Sequence, residues 1–152
     1  MMNNRSRSNC PMSCALDIFG DKWSLLIMRD LIFFKKHSYT DFLNSSEKIA
    51  TNILTTRLRN LEKNGIIEKL PLANSKSKAI YILTPMGIDT IPFMVELYLW
   101  SGQNFEIPSE FASIFKKAKK DKKDYIKSLT KKMKNNTRNA FTEIDFPPLL
   151  ES

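Results

Sequence analysis

The chain has 152 residues and a formal net charge of +8, and 42% of its residues are hydrophobic and 26% charged. This composition is that of a soluble globular protein, and the length suffices for one domain with a sizeable core. No stretch is long and apolar enough to span a membrane, and the polar N-terminus lacks a signal-like apolar segment, so we expect a cytoplasmic protein with no membrane partner.

The basic residues are unevenly distributed along the chain. Residues 1–107 hold 13 Lys and Arg against 10 Asp and Glu, whereas residues 108–152 hold 11 against 6. Such an excess favours polyanionic partners and salt-sensitive association, but it does not identify the partner by itself.

The two cysteines and the single histidine give little support to a metal site or an enzyme. The sequence contains no Cys-x-x-Cys pair, Gly-rich phosphate loop or His-Glu-x-x-His motif. It places no acid or histidine to activate Cys10, and His37 has no evident partner. We therefore expect no metal, no cofactor and no enzymatic activity.

Two helices are predicted before residue 34. The first covers residues 12–19, and the second covers residues 22–33 with Asp21 as its N-cap. Arg29 and Asp30 in the second helix are expected to lie at the surface or in local pairs.

A helix-turn-helix is predicted next. Thr40 can cap a short helix over residues 41–46, and a tight turn leads to a longer helix within residues 49–65, which ends at Gly65. A short helix, a tight turn and a longer helix are the arrangement of DNA-binding helix-turn-helix motifs.

The longer helix has two contrasting faces. Leu54, Leu58 and Leu61 recur at helical spacing and predict a buried stripe. The opposite face carries short polar side chains and two bases: Thr51, Asn52, Thr55, Thr56, Arg59 and Lys63. Such a face supplies donors and acceptors for base edges and phosphates, although an ordinary solvated face would fit the helix taken alone.

Two strand-like runs follow directly. Residues 66–72 and 78–83 are joined by the polar segment 73–77, and Lys76 and Lys78 lie at the tip of the hairpin. A basic hairpin after a reading helix can lie along the DNA backbone or enter the minor groove, as the wing of a winged helix does.

The remainder is predicted to be helical and then loose. Thr84 caps a helix that is apolar around much of its circumference and that Pro92 kinks or splits, so a partner subunit is expected to cover part of it. Residues 108–134 predict a Lys-rich amphipathic helix capped by Ser109. Residues 135–152 predict a loose tail that ends in an apolar, acidic patch over residues 144–151.

With these elements placed, the chain resembles the HxlR-type transcriptional regulators, relatives of the MarR-type winged-helix proteins, from about Cys10 to Gly102. The motifs that carry the resemblance are Cys10-Pro11, Ala15-Leu16-Asp17, Gly20-Asp21-Lys22-Trp23 with Leu25-Leu26-Ile27, Leu54-Thr55-Thr56-Arg57-Leu58-Arg59, Leu61-Glu62, Gly65, and Tyr81 with Leu83-Thr84-Pro85-Met86-Gly87. Their order and spacing make the resemblance specific.

The resemblance implies an α+β, mainly α fold: a winged helix-turn-helix with a two-stranded wing and C-terminal dimerisation helices. It also implies a homodimer on palindromic double-stranded DNA, with the reading helix over residues 50–64, the wing over residues 72–78 and dimer contacts from residues 11–19 and 86–102. The expected DNA-binding residues are Thr40, Ala50, Thr51, Asn52, Thr55, Thr56, Arg57, Arg59, Lys76 and Lys78. The expected dimer residues are Pro11, Leu16, Phe93, Leu97 and Trp100.

The two arginines of the reading helix are not equivalent. Arg59 projects from the polar face, whereas Arg57 lies nearer the apolar side. The sequence therefore favours Arg59 for DNA and leaves Arg57 between a phosphate contact and a structural pair.

Three features depart from the family pattern. Ala50 stands where a serine cap is usual, Ile80 and Ile82 make the second hairpin strand unusually apolar, and the chain beyond about residue 105 is long. We expect a winged helix-turn-helix DNA-binding and dimerisation domain over residues 1–107, followed by a Lys-rich amphipathic helix and a flexible tail over residues 108–152. The helix over residues 109–133 then either packs on the exposed strand or the partner subunit, or serves as a basic arm on DNA.

Some members of the family respond to oxidants or electrophiles through the cysteine at the Cys10 position. Here Cys10 would lie at a helix N-terminus, where the helix dipole favours a thiolate. Cys14 follows one turn later, a spacing too wide for an intrahelical disulfide, so an adduct on Cys10 or an intersubunit disulfide is the expected form. The alternative is that both are small packing residues, with Cys14 the stronger case.

The sequence therefore predicts a DNA-binding transcriptional regulator that acts as a homodimer on a pseudo-palindromic operator, and a repressor is the favoured mode of regulation. The alternative is a winged-helix protein-interaction module that binds DNA only without sequence preference.

Overall fold

The computed structural model describes residues 8–72 and 75–139 as a mainly helical chain with one small sheet. The N-terminal half contains α1 (Pro11–Phe19), α2 (Lys22–Phe33), α3 (Tyr39–Leu43) and α4 (Thr51–Lys63), followed by the strands β1 (Ile67–Leu72) and β2 (Ser75–Leu83). The C-terminal half contains α5 (Pro85–Ile88), α6 (Ile91–Asn104), the 3-10 turn Ser109–Phe111, α7 (Ala112–Lys120) and α8 (Lys122–Asn139). Within this described part, no helix combines the length and apolar character needed to cross a membrane.

The core is built where the apolar faces of α2, α4 and α6 meet the sheet. The predicted stripe of α4 is confirmed, because Leu54, Leu58 and Leu61 are all buried. They pack in one cluster with side chains of the other elements, such as Leu31 of α2 and Val95 of α6.

The two strands form the predicted antiparallel hairpin, with Lys69 opposite Tyr81. The second strand begins at Ser75, which pairs with Leu72, so the predicted five-residue connection is too long. Its central residues 73–74 lie outside the described residues. A third segment joins the outer edge of β2, because Tyr81 donates its backbone N–H to the carbonyl of His37 at 2.7 Å.

The short helix α3 is displaced from its predicted position, and its predicted cap is wrong. Ser38, not Thr40, is the N-cap: its hydroxyl accepts from the backbone N–H of Asp41, and the Asp41 carboxylate accepts from that of Ser38. This reciprocal capping box satisfies two N–H groups that the helix leaves unpaired, so the helix begins at Tyr39. Thr40 consequently lies in the first helical turn.

The apolar helix after the hairpin is split into two helices, which confirms one of the two alternatives expected from Pro92, a kink or a split. Thr84 caps α5 by accepting from the N–H of Gly87 at 3.1 Å, which confirms the predicted cap. The break falls at 89–90, and Pro92 then lies in the first turn of α6, where a missing N–H costs no hydrogen bond.

The Lys-rich segment forms two helices rather than the predicted single one. The chain is extended at Asp121, whose carboxylate accepts from the N–H of Asp124 at 2.9 Å and so starts α8. The second helix continues to Asn139, five residues further than predicted, and the predicted apolar and acidic patch over residues 144–151 lies outside the described residues.

The Lys-rich helices pack on the rest of the chain. Ala118 of α7 and Leu129 and Met133 of α8 are buried in the same core cluster as α2, α4 and α6. Residues on both sides of position 107 therefore share one core. Packing on the hairpin strand, one of the expected arrangements for this segment, is confirmed by the contact between α8 and β2.

Candidate nucleic-acid interface

The exposed face of α4 is the centre of the candidate interface. Thr51, Asn52, Thr55, Thr56 and Arg59 are all exposed along it, as the sequence predicts. Among the described residues, the side chains of Thr51, Asn52 and Arg59 make no hydrogen bond or ion pair. Their donors and acceptors are therefore available to a ligand that lies along the helix, and they are of the kind that reads base edges in a major groove.

Tyr39, which the sequence does not predict as a site residue, contacts the first turn of α4. The Tyr39 hydroxyl donates to the carbonyl of Thr51 at 3.2 Å and lies 3.1 Å from Thr55 Oγ1. Ala50 occupies the N-cap position without a side-chain cap bond. Tyr39 thus ties α3 to the first turn of α4, which an alanine cap leaves unsupported. In the sequence, only the position of Tyr39 at the start of the helix-turn-helix indicates this contact with α4.

The structure favours a structural role for Arg57. Its Nε lies 3.3 Å from Asp21 Oδ1 in an ion pair between α4 and α2. The same Asp21 caps α2 by accepting from the N–H and the hydroxyl of Ser24. Arg57 therefore pairs α4 with the N-cap of α2, whereas Arg59 faces outward.

A buried charged network holds the turn of the helix-turn-helix. Asp30 is only 2% exposed, so the expected surface position is wrong, whereas the alternative expectation of a local pair is confirmed by its ion pair with Arg29 at 2.7 Å. Its carboxylate accepts from Arg29 of α2 and from the Ser45 hydroxyl of the turn. Arg29 in turn donates from both terminal nitrogens of its guanidinium group to the two carboxylate oxygens of Glu47.

The network shifts the pKa values of both partners in the Arg29–Glu47 pair further from neutrality. Hydrogen bonds from Arg29 lower the pKa of Glu47 to about 2, although its partial burial acts in the opposite direction. Burial acts against the Arg29 charge, but the hydrogen bonds to Glu47 and Asp30 raise the pKa of Arg29 above its ordinary value. Both side chains are thus charged at neutral pH, and the pair joins α2 to the turn. Neither residue could be paired from the sequence, because 18 positions separate them.

The remaining predicted DNA contacts lie on α3 and the hairpin. Thr40 and Ala50 are exposed, at the first turn of α3 and immediately before α4. Lys78 is exposed on β2, and Lys76 lies within the same strand. The structure thus brings the helix-turn-helix and a basic hairpin together in consecutive elements.

Helices α1 and α6 present a large apolar surface. They touch through Phe19 and Phe93, whose rings lie 5.7 Å apart edge to face. Their large apolar side chains remain exposed in the single chain: Met12, Leu16, Phe93, Leu97 and Trp100. Trp100 is 58% exposed and Leu97 45%, values that favour burial against another molecule. Pro11 is exposed at the start of the same surface.

The two cysteines are free thiols one helical turn apart. Cys10 is exposed at the N-cap of α1 and makes no side-chain cap bond, whereas the Ser8 hydroxyl accepts from its backbone N–H at 3.0 Å. Cys14 is partly buried, and its sulfur lies 3.9 Å from the Ser8 carbonyl. The structure thus gives Cys10 the access that a reagent needs and gives Cys14 local contacts. Across the described chain, no group of three or more potential ligands could hold a metal ion.

Comparisons with known proteins agree with this arrangement. The HxlR-like helix-turn-helix family matches residues 18–108. The chain is 27% identical over 108 residues to YybR of Bacillus subtilis (strain 168), covering 71% of this chain and 86% of that one, and 33% identical over 97 residues to YdeP of the same organism, covering 64% and 74%. Both are named as uncharacterized HTH-type transcriptional regulators.

A solved structure supports the same assignment. The redox regulator HypR in its oxidized form superposes with a TM-score of 0.58 at 26% identity, covering 64% of this chain and all of that one. The matched family consists of transcription regulators rather than enzymes. The chain described above, with its two-stranded wing, its helix-turn-helix and the exposed polar face of α4, belongs to the HxlR-like family of DNA-binding winged helix-turn-helix transcription regulators.

Proposed function

We propose that this protein is a cytoplasmic homodimeric repressor that recognises a pseudo-palindromic operator through α4. The observation that carries the proposal is the exposed face of α4, whose Thr51, Asn52 and Arg59 side chains have no partner in the described chain. Arg59 supplies a guanidinium that fits a guanine edge or a phosphate, and Asn52 supplies an amide that fits an adenine edge. A dimer bound across a promoter would obstruct transcription.

The dimer sets the spacing at which DNA is read. Each subunit would place one α4 in successive major grooves, about 34–36 Å apart, and its hairpin with Lys78 on the flanking backbone. The apolar surface of α1 and α6 supports this assembly, because its exposed Leu97 and Trp100 favour burial against the same surface of a second subunit.

The decisive measurement is fluorescence anisotropy of the reduced protein on its own upstream DNA and on a scrambled duplex, over a salt series. A preference for the upstream DNA that persists as salt rises indicates base readout. Arg59→Ala should weaken binding to that DNA by about tenfold or more, since one arginine contact to a base contributes roughly 1–3 kcal/mol.

Lys127→Ala is the matched control for this loss. Lys127 is exposed on α8, so the change removes one positive charge without touching α4. Equal losses in the two variants would reduce the role of Arg59 to general charge. Equal affinity for both duplexes that vanishes with rising salt would contradict operator recognition and favour the interaction module. The uncapped Ala50 and the apolar wing strand with Ile80 and Ile82 are the features that support that alternative.

A response to oxidants or electrophiles is the finer part of the proposal. Cys10 is exposed at the N-terminus of α1, next to the proposed dimer surface, and the neighbouring structure HypR is a redox regulator. Diamide would take two electrons and two protons from a pair of Cys10 thiols and join the subunits, or a quinone would add to one thiol. Either event would alter the contacts of α1 and hence the spacing of the reading helices.

Oxidation should therefore lower operator affinity in the wild-type protein and leave Cys10→Ser unchanged. The measurement is the same anisotropy titration before and after diamide, with non-reducing electrophoresis to detect a linked dimer. Cys14→Ser is the control and should retain the response. Loss of affinity in Cys10→Ser after oxidation would remove Cys10 from the mechanism.

A further inference from the structure

A basic cleft lies apart from the reading helix and the apolar surface. It has a volume of about 340 Å³ and is formed between the segment that follows α2 and one face of α8. This volume lies at the lower end of the roughly 300–1,000 Å³ that small-molecule sites occupy. The residues that line it are Lys35, His37, Ser128, Lys131, Lys132, Asn135 and Asn136.

The α8 side of the cleft follows from helical periodicity. Ser128, Lys131, Lys132 and Asn135 recur at the i, i+3, i+4, i+7 spacing that places side chains on one face. Leu129 and Met133, also one turn apart, are buried in the core and set the rotation of the helix. Hydroxyl, ammonium and amide groups therefore line one wall of the cleft.

The charge of the cleft favours an anion. Three of its seven lining residues are lysines and none is acidic. Among the described residues, neither Lys35, Lys131 nor Lys132 takes part in an ion pair. Burial together with repulsion from Lys35 and Lys117 lowers the pKa of Lys132, so a bound anion would offset an existing repulsion.

The opposite wall is hydrogen-bonded to the hairpin and to α3, and it leads into the helix-turn-helix. His37 is 6% exposed, its Nδ1 lies 3.2 Å from the Tyr81 carbonyl, and its backbone N–H donates to Asp41 of the α3 capping box. Lys35 adopts a left-handed backbone conformation, with φ at +52°. A ligand in the cleft would thus contact both α8 and the segment that enters α3.

We propose that this cleft binds a small molecule carrying two or more phosphate or carboxylate groups, held by Lys35, Lys131 and Lys132. Lysine ammonium groups bind such anions as charge-assisted donors, and Ser128, Asn135 and Asn136 add neutral donors. The α8 wall lies beyond residue 108, where the family match ends, whereas Lys35 and His37 lie within it, so the cleft joins the family region to the C-terminal extension. Binding at the cleft does not depend on operator recognition.

The test is isothermal titration calorimetry of the full chain with sodium pyrophosphate, at constant ionic strength and without DNA. Wild-type protein should bind with saturation near one molecule per chain. Lys131→Gln combined with Lys132→Gln should weaken binding by about tenfold or more, because two charge-assisted contacts are removed. Lys123→Gln combined with Lys127→Gln is the matched control: both lysines are exposed on α8, neither lines the cleft, and the charge change is the same.

Three results would overturn the proposal. Failure of pyrophosphate and of citrate to saturate the wild-type protein would exclude such a ligand class. An equal loss in the control pair would assign any binding to the general charge of α8. The wild-type protein could also fail to bind anions while the Lys131/Lys132 variant, but not the control pair, binds duplex DNA more weakly. That result would make the cleft a contact for DNA phosphates. Circular dichroism of both variants tests whether each retains the fold, and unchanged spectra are expected.

Discussion

At the scale of single residues, the two arginines of α4 show how a two-residue shift changes a role. Positions two apart lie about 200° apart around a helix, so Arg57 and Arg59 point to different sides. Arg57 reaches Asp21 on α2, whereas Arg59 is exposed with no partner in the described chain. The first therefore stabilises the position of the reading helix, and the second is the candidate for DNA.

The Arg29–Glu47 pair predicts a dependence of stability on acid. Because hydrogen bonds from Arg29 lower the pKa of Glu47 from 4.5 to about 2, its carboxylate stabilises the folded state fully above the ordinary value. That contribution should fall as the pH drops from about 4.5 towards 2, when the unfolded chain binds a proton that the folded chain does not. Glu47→Gln removes it at every pH.

Urea unfolding of wild type and Glu47→Gln at several pH values between about 6 and about 3 measures this effect. The difference in free energy of unfolding should be largest near neutrality and shrink on the acid side. Both proteins contain the same other carboxylates, so the difference between them reports the loss of the Glu47 carboxylate. A difference that stays constant with pH would contradict the proposed ionic contribution.

At the scale of elements, caps and close approaches decide where helices begin and how they meet. Ser38 starts α3 and Asp121 starts α8, each by accepting a backbone N–H three residues ahead. Gly65 ends the turn after α4 with φ at +74°, which a glycine adopts without steric cost. Gly87 serves a different need, because a Cβ there would lie 2.1 Å from the Ile66 carbonyl oxygen.

The two glycines therefore predict different losses on substitution by alanine. Gly87→Ala forces α5 away from the main chain at Ile66 and disturbs the bond from the Thr84 N–H to that carbonyl, so a loss of roughly 3 kcal/mol is expected. Gly65→Ala meets no atom within 4 Å and adds only left-handed strain, about 1–2 kcal/mol.

Thermal and urea unfolding of the two variants measure the contrast. Both substitutions add one methyl group and restrict the unfolded chain to the same extent, so each serves as the control for the other. Equal stability losses would show that the contact of α5 with Ile66 relaxes easily.

At the scale of the whole molecule, a basic chain combines a polar reading face with an apolar surface on α1 and α6. The single chain leaves Leu97 and Trp100 substantially exposed, although side chains as large as Phe42 are fully buried in its core. Contiguous apolar surface of this kind usually marks a protein interface.

The apolar surface predicts that Leu97→Glu produces monomers. A carboxylate placed in an apolar dimer contact loses its hydration without gaining a partner, so the association should weaken by about tenfold or more. Sedimentation velocity over a range of protein concentrations measures the change. Gln103→Glu, an exposed site on the same helix, adds the same charge and should leave the association unchanged. A Leu97→Glu protein that sediments like wild type would exclude this surface.

Local sequence determined the helix-turn-helix and the hairpin, because their signals lie within a few residues of one another. The leucine stripe of α4, the Asp21 and Thr84 caps, and the apolar face of α6 all follow from spacing of up to one or two turns. The predicted position of the α3 cap was also wrong for a local reason. Ser38 and Thr40 can both cap a helix, and the hydrogen bond from the Ser38 N–H to the Asp41 carboxylate favours Ser38.

Only the tertiary structure decided the pairing of distant groups. The Arg29–Glu47 pair spans 18 positions, the contact of Arg57 with Asp21 spans two helices, and the cleft joins His37 to residues near 130. Periodicity predicts which face of an element is apolar, but it does not predict which charged side chain of another element lies next to that face. Those partners are chosen by the packing of the core, since burial of the leucine stripes fixes the rotation and depth of every helix and thereby sets which polar groups meet.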